Sequence, residues 1–274
     1  MDCVYASWTT DAPDGFSEGQ IETLCRLTAP LALAVKCASL TRIAATLVET
    51  YLGRDAGRRV LEGRIARGVA DRIGAVIWFS DLRDFTRITD TTAPEQVIPL
   101  LNDYAEAVIS AIHDAGGEVL KLIGDGILAI FRADAAGEAC RCALDAQKRA
   151  RERVRALSER RRAQGLPTTS IYLSLHVGDV FYGNIGSSDR LDFTVVGPAV
   201  NEASRIAGLC RSVERDVLIS SAFAAAAFEE DRSRLISVGC HELRGVAQLK
   251  ELFTLGPDAR PDEGDSIERR LAPR

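Results

Sequence analysis

The chain reads as an α/β or α+β domain on three observations. Apolar runs of strand type alternate with stretches of helical periodicity. Several of those runs are joined by hairpin-type turns, the clearest being Gly124-Asp125-Gly126. The composition, 46% hydrophobic and 27% charged, is that of an ordinary globular domain. A helical bundle would show neither the hairpins nor the alternation.

In order along the chain, residues 1–16 are polar, with Pro13, Asp14 and Gly15 marking a turn, and read as disorder or a short cap. Residues 17–52 read as helix. Leu33, Leu40 and Leu47 recur every seventh residue, with Ile43 and Tyr51 beside them. That stripe either pairs two chains in a short parallel coiled coil or packs on its own domain. Gly53 and Gly57 interrupt it, and a second helical piece, 58–69, leads into the first strand. Residues 1–70 thus form a helical linker or input segment.

The core, 71–256, opens on a strand at 75–80. A helix at 94–115 follows, with Val97, Leu100, Leu101, Tyr104, Val108 and Ile112 on one face and Gly116-Gly117 ending it. Strands are expected at 118–123 and 127–131, and a helix at 135–164, stopped by Gly165 and Pro167. Further strands read at 170–177, 179–184 and 192–196, then a helix at 198–210. A short strand at 216–220, a helix near 221–228 and a hairpin from 234–243 to 249–255 close the core. The tail, 257–274, is rich in Pro, Asp and Arg and is expected to be disordered.

The net charge of −5 argues against a nucleic-acid-binding surface. Residues 148–162 hold eight basic and two acidic residues and read as a solvated helix end. Residues 27–48 come nearest to a membrane span, but Pro30, Lys36 and Arg42 interrupt them, so no insertion is expected. The first residues have neither a basic start nor an apolar core, so no signal peptide is expected either. Seven scattered cysteines without a C-x-x-C pair fit reduced thiols in a cytoplasmic protein. His113, His176 and His241 show no ligand spacing.

Chemistry points to two carboxylates. Asp81 ends the run Ala75-Val-Ile-Trp-Phe-Ser-Asp81, and Asp125 follows Val119-Leu-Lys121-Leu-Ile-Gly124. A carboxylate where a buried strand gives out is well placed to hold a divalent cation, and two on adjacent strands can hold two. Alone, Asp125 also reads as a hairpin-turn residue, since Asp-Gly suits such a turn. Further on, Asn201 and Arg205 stand at i and i+4 on one helical face, just after a glycine turn. A solvated face is the plain alternative for that pair.

These segments, Phe79-Ser-Asp81-Leu-Arg-Asp-Phe85-Thr86, Lys121-Leu-Ile-Gly-Asp125 and Val200-Asn201-Glu-Ala-Ser-Arg205, resemble the class III nucleotide cyclase catalytic domain over about residues 72–255. The resemblance implies a ferredoxin-like antiparallel sheet flanked by helices. It implies conversion of ATP to 3′,5′-cyclic AMP and pyrophosphate with Mg²⁺ or Mn²⁺, two ions per site. Asp81, Asp125 and the backbone carbonyl of Leu82 would be the ligands. The segment through Phe85 and Thr86 would begin a helix whose N–H groups cradle the triphosphate. Lys121 and Thr194 would offer adenine a donor and an acceptor, although Thr194 alone also reads as an ordinary strand threonine. Asn201 would orient the ribose, Arg205 would stabilise transition-state charge, and Arg244 would reach the terminal phosphates.

The family usually has glycine where this chain has Asp84. Its sites form across a head-to-tail dimer, so a homodimer with composite sites is expected. The alternatives are a guanylate cyclase, disfavoured by Lys121, and a catalytically silent nucleotide-binding module, disfavoured by the presence of Asp81, Asp125, Asn201 and Arg205. The diguanylate cyclase signature is absent.

Overall fold

The computed structural model describes residues 5–245 and 248–256. The expected disordered tail, 257–274, lies outside the described residues. The chain divides into two compact units, Met1–Ile65 and Ala66–Arg274.

The first unit is helical. α1 (Glu18–Leu52) starts at a capping box: Ser17 Oγ accepts the Gln20 N–H while Gln20 Oε1 accepts the Ser17 N–H. Gly53, at φ 85°, ends it. α2 (Arg54–Leu61) follows at once. The expected break at Gly57 is instead a close contact: a Cβ there would sit 2.9 Å from the Glu49 backbone of α1. The second helix is therefore earlier and shorter than the expected 58–69.

α1 buries none of its residues, and Leu33, Leu40, Ile43 and Leu47 are all exposed. Pro30 lies within the helix without ending it. By length and composition alone, this 35-residue helix is apolar enough to cross a membrane. That removes the proline from the argument against a span. Lys36 and Arg42, costly at membrane depth, remain.

The second unit is an eight-stranded, mostly antiparallel sheet with helices packed on it. Its strands are β1 (Ala70–Leu82), β2 (Glu118–Ile123), β3 (Gly126–Phe131), β4 (Ile171–Gly186), β5 (Leu191–Val196), β6 (Val217–Ser220), β7 (Leu235–His241) and β8 (Lys250–Leu255). The order is β2-β3-β1-β4-β6-β8-β7, with β5 paired to β4 off this path. Among the strand pairs of the described residues, only β4 with β6 is parallel. The helices are α3 (Phe85–Thr91), α4 (Pro94–Asp114), α5 (Ala136–Ala163), α6 (Pro198–Leu209), α7 (Ser221–Ala226) and α8 (Glu229–Arg232). The α4 face named above supplies Leu100, Tyr104, Val108 and Ile112 to the core, against Trp78, Phe131 and Leu144. This mixed architecture is the expected fold class.

Two strands differ from the sequence reading. β1 begins at Ala70, five residues early, because β4 continues far enough to pair with it from Ala70↔Gly183 onward. β4 is one strand where two were expected. Gly178 pairs with Ala75 in register and makes no turn. Its missing side chain makes room for α6: a Cβ there would lie 2.6 Å from the Ala199 Cβ.

The basic stretch on α5 is largely neutralised within the chain. Arg149, Arg153, Arg155 and Arg161 pair with Asp145, Asp114, Glu159 and Asp103. Among the described residues, Cys25, Cys37, Cys140, Cys142, Cys210 and Cys240 are free.

Candidate active site

β1 and the turn between β2 and β3 bring the two carboxylates together. β3 pairs beside β1 up to Ser80↔Ile127, so the Gly124-Asp125-Gly126 turn lies next to the end of β1. Gly124 takes φ 65° and lets the turn close. The Leu82 backbone N–H then lies 3.0 Å from Asp81 Oδ1 and 3.3 Å from Asp125 Oδ2. Burial pushes Asp81 up to about 7, helped by a hydrogen bond and like charge from Asp125; the Leu82 amide pulls the other way. Two hard oxygen donors that repel each other suit a small divalent cation such as Mg²⁺ or Mn²⁺. No group of three or more His, Cys, Asp or Glu side chains suited to a metal occurs among the described residues. Any further ligands would be backbone carbonyls, water or substrate oxygens.

The chain after Leu82 turns sharply. Asp84 is in the left-handed region, at φ 59°, immediately before α3. That explains a glycine preference at this position by backbone geometry, beyond any question of charge. The Asp84 carboxylate reaches Arg87 only at 3.9 Å. Phe85 packs against the core while Thr86 is exposed at the helix start.

Lys121 and Thr194 belong to a second locus. Lys121, on β2, forms an ion pair with Asp192 on β5. β2 and β5 are not sheet neighbours, so this ion pair links two strands that no backbone ladder joins. Asp192 stands two residues before Thr194 and therefore shares its strand face. Thr194 itself is buried. Asp192 is absent from the sequence-based site; the signal was its spacing of two from Thr194 on an alternating strand.

α6 carries the remaining pair. Asn201 and Arg205 are both exposed, and the Arg205 guanidinium lies beside the loop after β7: a Cβ on Gly245 would be 3.5 Å from it. Arg244 is the neighbouring exposed residue in that loop. Among the described residues, no hydrogen bond or ion pair joins Asp81 or Asp125 to Lys121, Thr194, Asn201, Arg205 or Arg244.

The expected side chains thus stand in three places of the second unit: Asp81 and Asp125 at a strand end, Lys121 and Thr194 on β2 and β5, and Asn201 and Arg205 on α6. Residues 70–255 match the family described as the adenylate and guanylate cyclase catalytic domain, and the chain belongs to that family. It is 28% identical over 209 residues to adenylate cyclase 1 of Rhizobium meliloti, covering 74% of this chain and 30% of that protein. It is 36% identical over 157 residues to the adenylate cyclase of Anabaena cylindrica, covering 56% of this chain and 30% of that protein. The chain thus spans about a third of the length of these curated relatives. Among solved structures, it resembles the adenylyl cyclase CyaB from P. aeruginosa at 25% identity and TM-score 0.63, covering 72% of this chain and all of that one. It also resembles the guanylyl cyclase Cya2 at 27% identity and TM-score 0.59, covering 69% and 96%.

Proposed function

We propose that the chain is an adenylate cyclase that closes ATP to 3′,5′-cyclic AMP and releases pyrophosphate, acting as a homodimer with composite sites. The convergence of Asp81 and Asp125 on the Leu82 amide carries this reading. Asp81, Asp125 and the Leu82 carbonyl would hold two Mg²⁺ or Mn²⁺ ions. When bound, such ions lower the pKa of the attacking hydroxyl and neutralise phosphate charge.

The chain's own side chains do the rest. Lys121 has three N–H donors; one is occupied by Asp192, which aims the others, and one of these meets a ring-nitrogen acceptor of adenine. The Thr194 hydroxyl accepts from the exocyclic amine. Asn201 orients the ribose, Arg205 stabilises charge on the α-phosphate, and Arg244, beside it, binds the terminal phosphates. Among the described residues, neither carboxylate bonds to Lys121, Thr194, Asn201, Arg205 or Arg244 within one chain, which fits a site completed by a second copy. The stripe on α1, uncovered within its own unit, offers that copy a parallel helical contact.

Product analysis tests the reading. Purified protein is incubated with ATP or GTP, each with Mg²⁺ or Mn²⁺. Cyclic AMP as the main product is expected. Cyclic GMP would make the chain a guanylate cyclase, and no cyclic product would make it a silent module.

A further inference from the structure

Helix α6 rests on a polar seat. Three successive residues on one face of β4 meet it or lie beneath it: Ser174, His176 and Gly178. Ser174 Oγ donates to the Ala203 carbonyl of α6 at 2.7 Å. Gly178 makes room for Ala199 in the first turn of α6. Between them the His176 ring is buried, with Nδ1 2.9 Å from Ser220 Oγ. That hydroxyl accepts the Phe223 N–H as the cap of α7 and keeps a proton that it can donate to Nδ1. In the neutral tautomer that takes this proton, Nε2 carries the ring proton. Nε2 faces Gly178, where an added Cβ would lie 3.3 Å away.

Among the described residues, Glu202 and Lys250 are the charges that act on the ring. On α6, Glu202 follows Asn201 and pairs with Lys250 of β8 at 3.6 Å. On β4 itself, Asp179 is paired with Arg72 at 2.6 Å. β6 contributes the neutral Ser220, and β1 places Ile77 opposite. Burial holds the imidazole below its ordinary range; the Glu202 carboxylate opposes this and Lys250 adds to it.

We propose that His176 is a positioning residue whose neutral form seats α6, and with it Asn201 and Arg205, so that its protonation switches the site off in acid. This rests on the reading of Asn201 and Arg205 as site residues. A charged ring needs an acceptor for both N–H groups. Ser220 can serve Nδ1 only by turning its own proton away. The second N–H turns towards Glu202, the carboxylate whose charge favours the protonated ring, at the expense of the Glu202–Lys250 pair. The pull falls on α6 one residue from Asn201.

The test compares the pH profile of kcat for the native chain with that of His176→Asn, whose amide can keep the Ser220 contact without titrating. Below the pKa of the ring the native profile should fall by about tenfold per pH unit, the slope of one proton. The variant should keep its neutral-pH activity and lose that limb. Lys250→Met should move the limb to higher pH, because it frees Glu202 for the ring. A limb unchanged in both variants overturns the proposal.

A second readout does not depend on catalysis. The chain has three histidines, so the His176 ring can be followed in an NMR titration. The α6 amides from Asn201 to Arg205 should shift with it, and amides that stay still overturn the proposal even where the variants fail to fold. If the native chain makes no cyclic nucleotide at any pH while the amides follow the ring, the cyclase reading fails and the seat stands.

Discussion

Asp81 and Asp125, 44 positions apart in sequence, share one backbone amide: Leu82 N lies 3.0 Å from the first carboxylate and 3.3 Å from the second. Two acids held this close without a cation work against the fold, and that makes their role measurable.

The first prediction follows from the sign of that repulsion. Asp81 titrates near 3.8 when unfolded and at about 7 when folded. Between those values the folded state binds the extra proton, so this group's contribution to stability declines as pH rises through the window. In metal-free protein, Asp81→Asn should melt at a higher temperature than the native chain at pH 8, with the gap closing towards pH 4. Added Mn²⁺ should raise the native melting temperature at pH 8 and leave that of the variant nearly unmoved. Turnover of Asp81→Asn and of Asp125→Asn should fall by at least about a hundredfold. Near-native turnover in either would remove that residue from the metal site.

Asp84→Gly should gain stability, because a left-handed backbone costs a non-glycine residue on the order of 1 kcal/mol. Urea unfolding would show this as a higher midpoint at constant slope. If the carboxylate faces the phosphates, KM for ATP should fall as well. A stability gain with unchanged KM would place the charge in solvent.

Base choice should depend on three residues. Lys121→Glu with Thr194→Cys should move the kcat/KM preference from ATP towards GTP. Asp192→Ala should lower the ATP-over-GTP ratio by about tenfold, equivalent to about 1.4 kcal/mol, by releasing the lysine. A ratio unmoved by Asp192→Ala but moved by the double variant would separate orientation from recognition.

Local signals carried much of the fold. The α4 stripe, the Gly124-Asp125-Gly126 turn and the helix after Gly197 all follow from periodicity or glycine placement. What failed depended on tertiary partners. Gly178 and Gly57 read as breaks because a glycine that makes a turn and one that admits a neighbouring helix look alike in sequence. The early start of β1 required knowledge of its pairing with β4. Asp81, Asp125, Lys121, Asn201 and Arg205 stood out through their order and spacing. Asp192 and His176 did not, because one meets Lys121 from a strand that is not its sheet neighbour and the other is buried with its ring against Ser220.

The central claim is a site shared between two chains, with Asp81 and Asp125 from one and Lys121, Thr194, Asn201 and Arg205 from the other. Asp81→Asn and Arg205→Ala homodimers should each be nearly inactive. In a mixed dimer one site collects both lesions and the other collects neither. The deciding measurement is cyclic AMP formation after the two inactive proteins are mixed under conditions of verified subunit exchange. With random pairing about half the dimers are mixed, each with one intact site, so activity should recover to roughly a quarter of the native rate. No recovery, with exchange confirmed, would place the chemistry within a single chain and contradict the composite site.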